Sequence, residues 1–246
     1  MAGPALYLFS SGTLGLGGYD VPVPFYLIRH EQGDVIVDGG NPLAVARDPH
    51  AHWGKMADFF EVHMTEEQHC VAQLRHHGFG PESISRVVQT HMHIDHTGAL
   101  GHFPGAEIVV HAAELDSARG ERPHARGYVS ADYEQPGLAW STYTGELDLF
   151  GDGSVRLLPT PGHSAGHVSL LLELEHTGPV LLTADAVDNR AQWEGSQPPR
   201  SLHDAEEAER SRERLRELAG EVEPLLVFGH DPRNFSSLRH APDGYD

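Results

Sequence analysis

The run Thr90-His91-Met92-His93-Ile94-Asp95-His96 constrains this chain more than any other feature. It follows a short β-branched stretch, residues 85–90, that reads as a strand. Four side chains able to ligate a metal fall within six positions. Histidine and ionised aspartate are costly to bury without partners or a metal, so a purely structural role fits poorly. In an extended tip alternate residues share a side, which lets His91 and His93 converge on one cation. If the chain then turns into a helix start, Asp95 and His96 point elsewhere, toward a second cation nearby.

A chance cluster in a chain with 19 histidines predicts no further ligand-type residues at strand ends. Three such positions follow. His163, in Thr160-Pro161-Gly162-His163-Ser164, comes after an apolar strand over 155–158. Asp185 ends a strand over 180–183, and His230 ends one over 225–228. Polar residues that stand where apolar strands stop are expected of a site along one edge of a sheet.

The pattern His91-x-His93-x-Asp95-His96, then His163, Asp185 and His230, resembles the metal signature of the metallo-β-lactamase superfamily. That resemblance implies an α/β protein with a four-layer αββα sandwich, here as a single domain over residues 1–246. It implies one metal held by His91, His93 and His163, a second held by Asp95, His96 and His230, and Asp185 bridging the two. Asp38, in Val37-Asp38-Gly39-Gly40, matches an aspartate that supports the ligands from behind, and reads equally well as a turn residue.

Within the superfamily the chain most resembles the N-acyl homoserine lactonases. The likeness includes Met64-Thr65-Glu66-Glu67, the run from Thr160 through Ser164-Ala165-Gly166-His167, Val180-Leu181-Leu182-Thr183-Ala184-Asp185-Ala186, and Phe228-Gly229-His230-Asp231. One departure stands out. Those lactonases carry a tyrosine three residues after the bridging aspartate, and here that position is Asp188. Either Tyr128, Tyr133 or Tyr143 takes over its hydrogen bond, or the preferred substrate differs. Ile94 also replaces an aromatic often found inside the histidine motif.

The implied chemistry is metal-assisted hydrolysis. Two cations that share a water lower its pKa, so a hydroxide is available near neutral pH to attack a lactone carbonyl. Asp95 is the expected proton shuttle to the leaving alkoxide. Mixed His/Asp ligation favours zinc, with manganese, iron or cobalt also able to fill the site. Alternatives on the same scaffold are a thioesterase, a β-lactamase, a different lactonase or an iron persulfide dioxygenase; no Gly-x-Ser-x-Gly elbow offers a serine nucleophile.

The rest of the chain is consistent with a folded enzyme. Apolar residues make up 39% and charged residues 22% of the 246 positions. The net charge of −19 disfavours a nucleic-acid partner, because a phosphate backbone would repel it. The lone cysteine, Cys70, allows no internal disulfide and reads as a small core residue. With neither a basic-then-apolar leader nor a membrane-length apolar run, the expected location is the cytoplasm and no membrane partner is expected. Strands are expected over 5–9, 23–30, 34–37, 107–111 and 168–174. Gly12, Gly15, Gly17 and Gly18 read as a turn. Residues 41–64 are irregular and aromatic-rich, forming either a core flap or a substrate-facing wall around Phe59 and Phe60. Thr65-Glu66-Glu67-Gln68 reads as a helix start that Gly78 ends, and 203–220 as the clearest helix. Residues 120–146 read as a long polar insertion.

Overall fold

A computed structural model describes residues 3–121 and 123–246 of the chain. The chain opens with β1 (Ala5–Leu16), β2 (Tyr19–Arg29) and β3 (Asp34–Val37). It continues through α1 (Leu43–Arg47), α2 (Pro49–Trp53), β4 (Glu61–His63), α3 (Cys70–His76), β5 (Ile84–Gln89), β6 (Glu107–His111), α4 (Ala112–Ala118), α5 (Ser130–Tyr133) and β7 (Ala139–Tyr143). These seven strands form one sheet in the order β4-β1-β2-β3-β5-β6-β7. A second sheet takes β8 (Leu147–Asp148), β9 (Val155–Pro159), β10 (Val168–Leu174), β11 (Gly178–Ala184) and β12 (Leu225–Phe228), ordered β12-β11-β10-β9-β8. Between and after its last strands lie α6 (Arg190–Trp193), α7 (Ala205–Val222) and α8 (Pro232–Ser237).

Alternation along the strands decides the layering. Leu6, Leu8, Ile28, Val35, Val37 and Val88 of the first sheet meet Val155, Leu170, Leu172, Val180 and Val227 of the second in one buried cluster. The opposite face of the first sheet, with Phe9, Leu27, Ile36 and Val110, packs on Cys70 and Leu74 of α3 and on Leu115 of α4. The outer face of the second sheet, with Leu171, Leu181 and Phe228, packs on Leu215 of α7. The result is the expected αββα order of layers. Helix α7 starts where Asp204 accepts a hydrogen bond from the Glu207 N–H, with Glu206 and Glu207 in its first turn, where carboxylates are favoured. No helix among the described residues is long and apolar enough to cross a membrane.

Two readings of the sequence need correction. The glycine-rich segment is mostly strand: β1 runs through Gly12 and Gly15, with a register irregularity between Ser10 and Thr13 where Gly12 adopts φ +95°. Only Gly17-Gly18 make the turn, both at positive φ, as a two-residue hairpin requires. The insertion also does more than loop out. Its end supplies β7, which pairs in parallel with β6 and forms the sheet edge.

Candidate metal centre

The direction of the strands creates the site. β3, β5 and β6 run parallel. In the other sheet β9 and β11 both run antiparallel to β10, and β12 runs parallel to β11. The C-terminal ends of β5, β9, β11 and β12 therefore deliver His91 to His96, His163, Asp185 and His230 to one edge of the sandwich. The turns there are sterically exacting. Gly98 lies against the carbonyls of Gly39, Gly40 and Asn41, and Gly162 lies against the backbone of Ala208 in α7; a Cβ at either position would collide with main chain. Helix α8 begins at its cap Asp231, whose carboxylate accepts from Arg233 and Asn234 N–H, so the chain turns immediately after His230.

All seven expected ligand residues come together, each at most 7% exposed. Their ligand atoms form three groups, each lying within 4.8 Å: His91, His93 and His163; His91, His96 and Asp185; and Asp95, His96 and His230. Asp185 faces two ways. Its Oδ2 lies 3.4 Å from His163 Nε2 and 3.9 Å from His91 Nε2, while its Oδ1 lies 3.4 Å from His96 Nε2 and 3.1 Å from His230 Nε2. His93 Nδ1 and His163 Nε2 are 2.8 Å apart. Four of these buried atoms, His91 Nε2, His96 Nε2, His230 Nε2 and Asp185 Oδ1, have no aligned hydrogen-bond partner. Buried polar atoms are nearly always satisfied, so converging orphans with nitrogen and carboxylate chemistry fit divalent cations.

The outward ring nitrogens are engaged, which aims Nε2 of these rings inward. His96 Nδ1 lies 2.9 Å from Asp38 Oδ2, and His91 Nδ1 lies 3.0 Å from Thr90 Oγ1. His163 Nδ1 donates to the Arg200 carbonyl at 3.1 Å and His230 Nδ1 to the Pro22 carbonyl at 2.8 Å. Asp38 further accepts from the Thr90 N–H and hydroxyl, both at 2.8 Å, from a backbone at φ +65°. It is thus both the turn residue and the support that the sequence suggested. Burial pushes the pKa values of His91 and His163 well down and that of His93 to about 4, which favours the neutral ring a metal takes, whereas against the same burial the carboxylates of Asp185 and Asp95 hold those of His96 and His230 up.

Three more residues hold the site together: Glu114 and Arg200 carried no sequence signal of their own, and His167 stood out only as the end of the run that begins at Thr160. Glu114, fully buried in α4, accepts from Met92 N–H (2.9 Å), Ser164 Oγ (2.7 Å) and Gly166 N–H (2.9 Å), tying the two histidine loops together. His167 Nε2 accepts from the Asp185 N–H at 3.0 Å, and burial pushes its pKa to about 3. Arg200 Nη2 donates to Asp185 Oδ2 at 2.8 Å. None of the three tyrosines that could replace the donor missing at Asp188 brings its hydroxyl to the adjoining cavity, although the Tyr128 ring lies 5.1 Å from that of His93. The Tyr128 hydroxyl donates to Ser117 and that of Tyr133 to the Ala118 carbonyl; neither these nor Tyr143 line the adjoining cavity.

That cavity has a volume of about 430 Å³. His93, Asp95, His163 and His230 form its polar end together with Asp188, Asn189, Gln192 and Arg200, and Leu14, Met56, Phe59, Phe60, Ile94 and Leu202 form an apolar wall. The aromatic segment 41–64 therefore divides its work. Trp53 is buried, whereas Phe59 is 70% exposed at the cavity wall and Phe60 packs edge-on against Trp53.

Residues 18–230 match the family description of the metallo-beta-lactamase superfamily. The chain belongs to the metallo-beta-lactamase superfamily. Within it, the chain is 38% identical over 257 aligned positions to a Rhizobium radiobacter protein named N-acyl homoserine lactonase AttM, covering 98% of both chains. It is 32% identical to N-acyl homoserine lactonase AiiA of Bacillus thuringiensis subsp. kurstaki, over 91% of this chain and 87% of the other. Among solved members of the superfamily, an N-acyl homoserine lactone hydrolase with the product N-hexanoyl-L-homoserine at its catalytic metal centre superposes with a TM-score of 0.89, at 30% identity and full coverage of both chains.

Proposed function

We propose that residues 1–246 act as one domain that opens the ring of N-acyl homoserine lactones with two divalent cations, zinc foremost. The observation that carries this reading is Asp185, which turns one oxygen to His91 and His163 and the other to His96 and His230. His91, His93 and His163 are assigned to one cation, Asp95, His96 and His230 to the other, and Asp185 to both. Such cations, when bound, activate water and polarise an ester carbonyl. The relatives named N-acyl homoserine lactonase cover nearly the whole chain, which supports the same class of substrate.

The chain's own residues then divide the work. The cavity offers a polar end for the lactone ring and an apolar wall, with Met56, Phe59 and Phe60, for the acyl tail. Hydrolysis adds the oxygen of water to the carbonyl carbon, breaks the ring C–O bond and leaves an alkoxide that needs a proton. Asp95 faces the cavity, with Oδ2 3.6 Å from His230 Nε2 and Oδ1 3.8 Å from His96 Nε2. We assign it the proton of the attacking water, which it returns to the leaving oxygen. His91, His96, His163 and His230 are held in their orientations by the outer hydrogen bonds described above.

The test is a panel of N-acyl homoserine lactones followed by proton release, run beside a thioester and a β-lactam, with elemental analysis of the same sample. Turnover confined to the lactones, with about two metals per chain, is the expected result. Preference for the thioester or β-lactam would overturn the substrate assignment.

A further inference from the structure

One cation at the cavity is not used by the mechanism above. Arg200 lies in the segment joining α6 to α7, and that segment is fastened to the His163 loop. Leu202 N–H donates to the His163 carbonyl at 3.0 Å, Asp204 N–H to the Gly162 carbonyl at 3.0 Å, and Ser201 Oγ to the same carbonyl at 2.6 Å. With its own carbonyl accepting from His163 Nδ1, Arg200 has a fixed backbone beside the first histidine group. Its guanidinium reaches Asp185 Oδ2 through Nη2 and lies 3.4 Å from Asp188 Oδ2 through Nε, while the side chain remains 38% exposed toward the cavity it lines.

Asp188 is a built anchor for this arginine. It is buried at 8% exposure, its N–H donates to Gln192 Oε1 at 2.7 Å, and its Oδ2 accepts from Gln192 Nε2 at 3.2 Å. Arg200 Nε and Asp188 Oδ1 are both buried without an aligned hydrogen bond. Of the uncharged side chains lining the cavity near Asp188, Gln192 donates to Asp188, whereas Asn189 caps α6 by accepting at its side-chain oxygen, which leaves its amide N–H groups as a neutral donor beside Arg200. Arg200 is the charged donor there, and a neutral amide cannot balance a developing negative charge as a guanidinium does.

Electrostatics says what it would meet. Like charges repel, and a guanidinium beside two divalent cations is stable only with negative charge between them. Asp185 supplies part of that charge, but its oxygens are the ones assigned to the cations. An ester carbonyl gains negative charge on oxygen as it is attacked, and the ring-opened product carries a full carboxylate. Guanidinium presents N–H donors in a planar fork that matches a carboxylate, and it keeps its proton throughout.

We propose that Arg200, anchored by Asp188, hydrogen-bonds the lactone carbonyl oxygen as it becomes an oxyanion and then holds the product carboxylate. Asp188 and Arg200 thereby form a substrate-positioning pair. The inference rests on the lactonase reading, and its test separates the two.

The measurements are metal content, melting temperature, calorimetric binding of N-hexanoyl-L-homoserine, and lactone kinetics, on metal-loaded wild type, Arg200→Gln, Arg200→Lys and Asp188→Asn. Arg200→Gln is expected to keep its metals and cooperative melting, to bind the ring-opened acid about 10- to 100-fold more weakly, and to lose kcat as well as affinity. Arg200→Lys should recover part of the binding, since the charge survives and the fork does not. Asp188→Asn should shift binding in the same direction by less. Unchanged acid binding in Arg200→Gln, with metals or melting temperature altered instead, would make Arg200 a mere counter-ion to Asp185 and overturn the proposal. If wild type turned over no lactone yet bound the acid through Arg200, the lactonase reading would fall and the Arg200 assignment would stand. If wild type did not bind the acid at all, the Arg200 assignment would fall.

Discussion

Asparagine at position 185 has one oxygen where aspartate has two, and no charge to share between two groups of histidines. Asp185→Asn should therefore lower kcat far more than it disturbs folding, and it should weaken the pairing of the metals. The loss should exceed the roughly 10–100-fold expected on removing an outer partner of a metal ligand. Asp38→Ala provides that comparison, because Asp38 holds His96 and Thr90 without facing the cavity; its metal affinity should fall within that range. Wild-type turnover by Asp185→Asn in steady-state assays would remove Asp185 from the site. At this scale the sequence was informative wherever ligands cluster or end a strand, since both patterns are local. Glu114 and Arg200 were invisible for the opposite reason. Glu114 meets Gly166 across 52 positions, and Arg200 follows two prolines in a stretch that reads as plain loop.

Elements explain how the cavity acquires its wall. Helix α2 starts at Asp48, which accepts from Ala51 N–H, with Pro49 in its first turn. It brings Trp53 into the core and leaves Phe59 and Phe60 at the cavity. Phe60→Ala should raise KM more for long acyl chains than for short ones, with melting nearly unchanged. A uniform loss on every lactone, together with the ~3–5 kcal/mol destabilisation of a Phe→Ala core truncation, would return Phe60 to the core. The same helix is tethered by His52, whose Nε2 lies 2.7 Å from Asp132 Oδ1, while Thr97 Oγ1 donates to Asp132 Oδ2 at 2.7 Å. The Asp132 hydrogen bond raises the His52 pKa against the burial that lowers it. A raised folded pKa contributes stability that is full below the unfolded value, near 6.5, and is lost as pH climbs through the folded value. Wild type should therefore lose melting temperature relative to His52→Gln as pH rises above about 6.5. A difference between the two that stays constant across pH would exclude the tether. Strands with regular apolar runs were legible from sequence because burial on both faces leaves no ambiguity. The glycine-bearing end of β1 and the edge strand β7 were not, since glycine and a half-polar edge both mimic turns.

The whole molecule is two sheets filled from two consecutive stretches of chain, β1 to β7 and then β8 to β12. Each proposed cation draws ligands from both. His91 and His93 leave the first sheet and His163 the second; Asp95 and His96 leave the first and His230 the second. Prolonged chelation should strip both metals, abolish turnover and lower the melting temperature, because a ligand bound only by the folded state stabilises it by mass action. Elemental analysis showing one metal or none in fully active protein would end the dinuclear reading. The layered α/β class was legible because strands come in groups separated by helices, whereas the αββα order of layers came from the resemblance of the ligand pattern to its superfamily. The sheets' meeting edge was not, since strand direction is a property of connections rather than of any one segment.

That division of ligands makes each cation a cross-link between two separable lengths of polypeptide. The join, Thr144-Gly145-Glu146, is exposed, with Gly145 at φ +71°, and no assigned ligand lies within it. A chain cut there would leave two fragments, each with an incomplete claim on both metals and an uncovered apolar sheet. Their reassembly should be a metal-dependent complementation: mixed fragments regain lactonase turnover when a divalent cation is supplied and come apart on chelation. The metal pair would then act as the clasp of a two-piece enzyme as well as its chemistry.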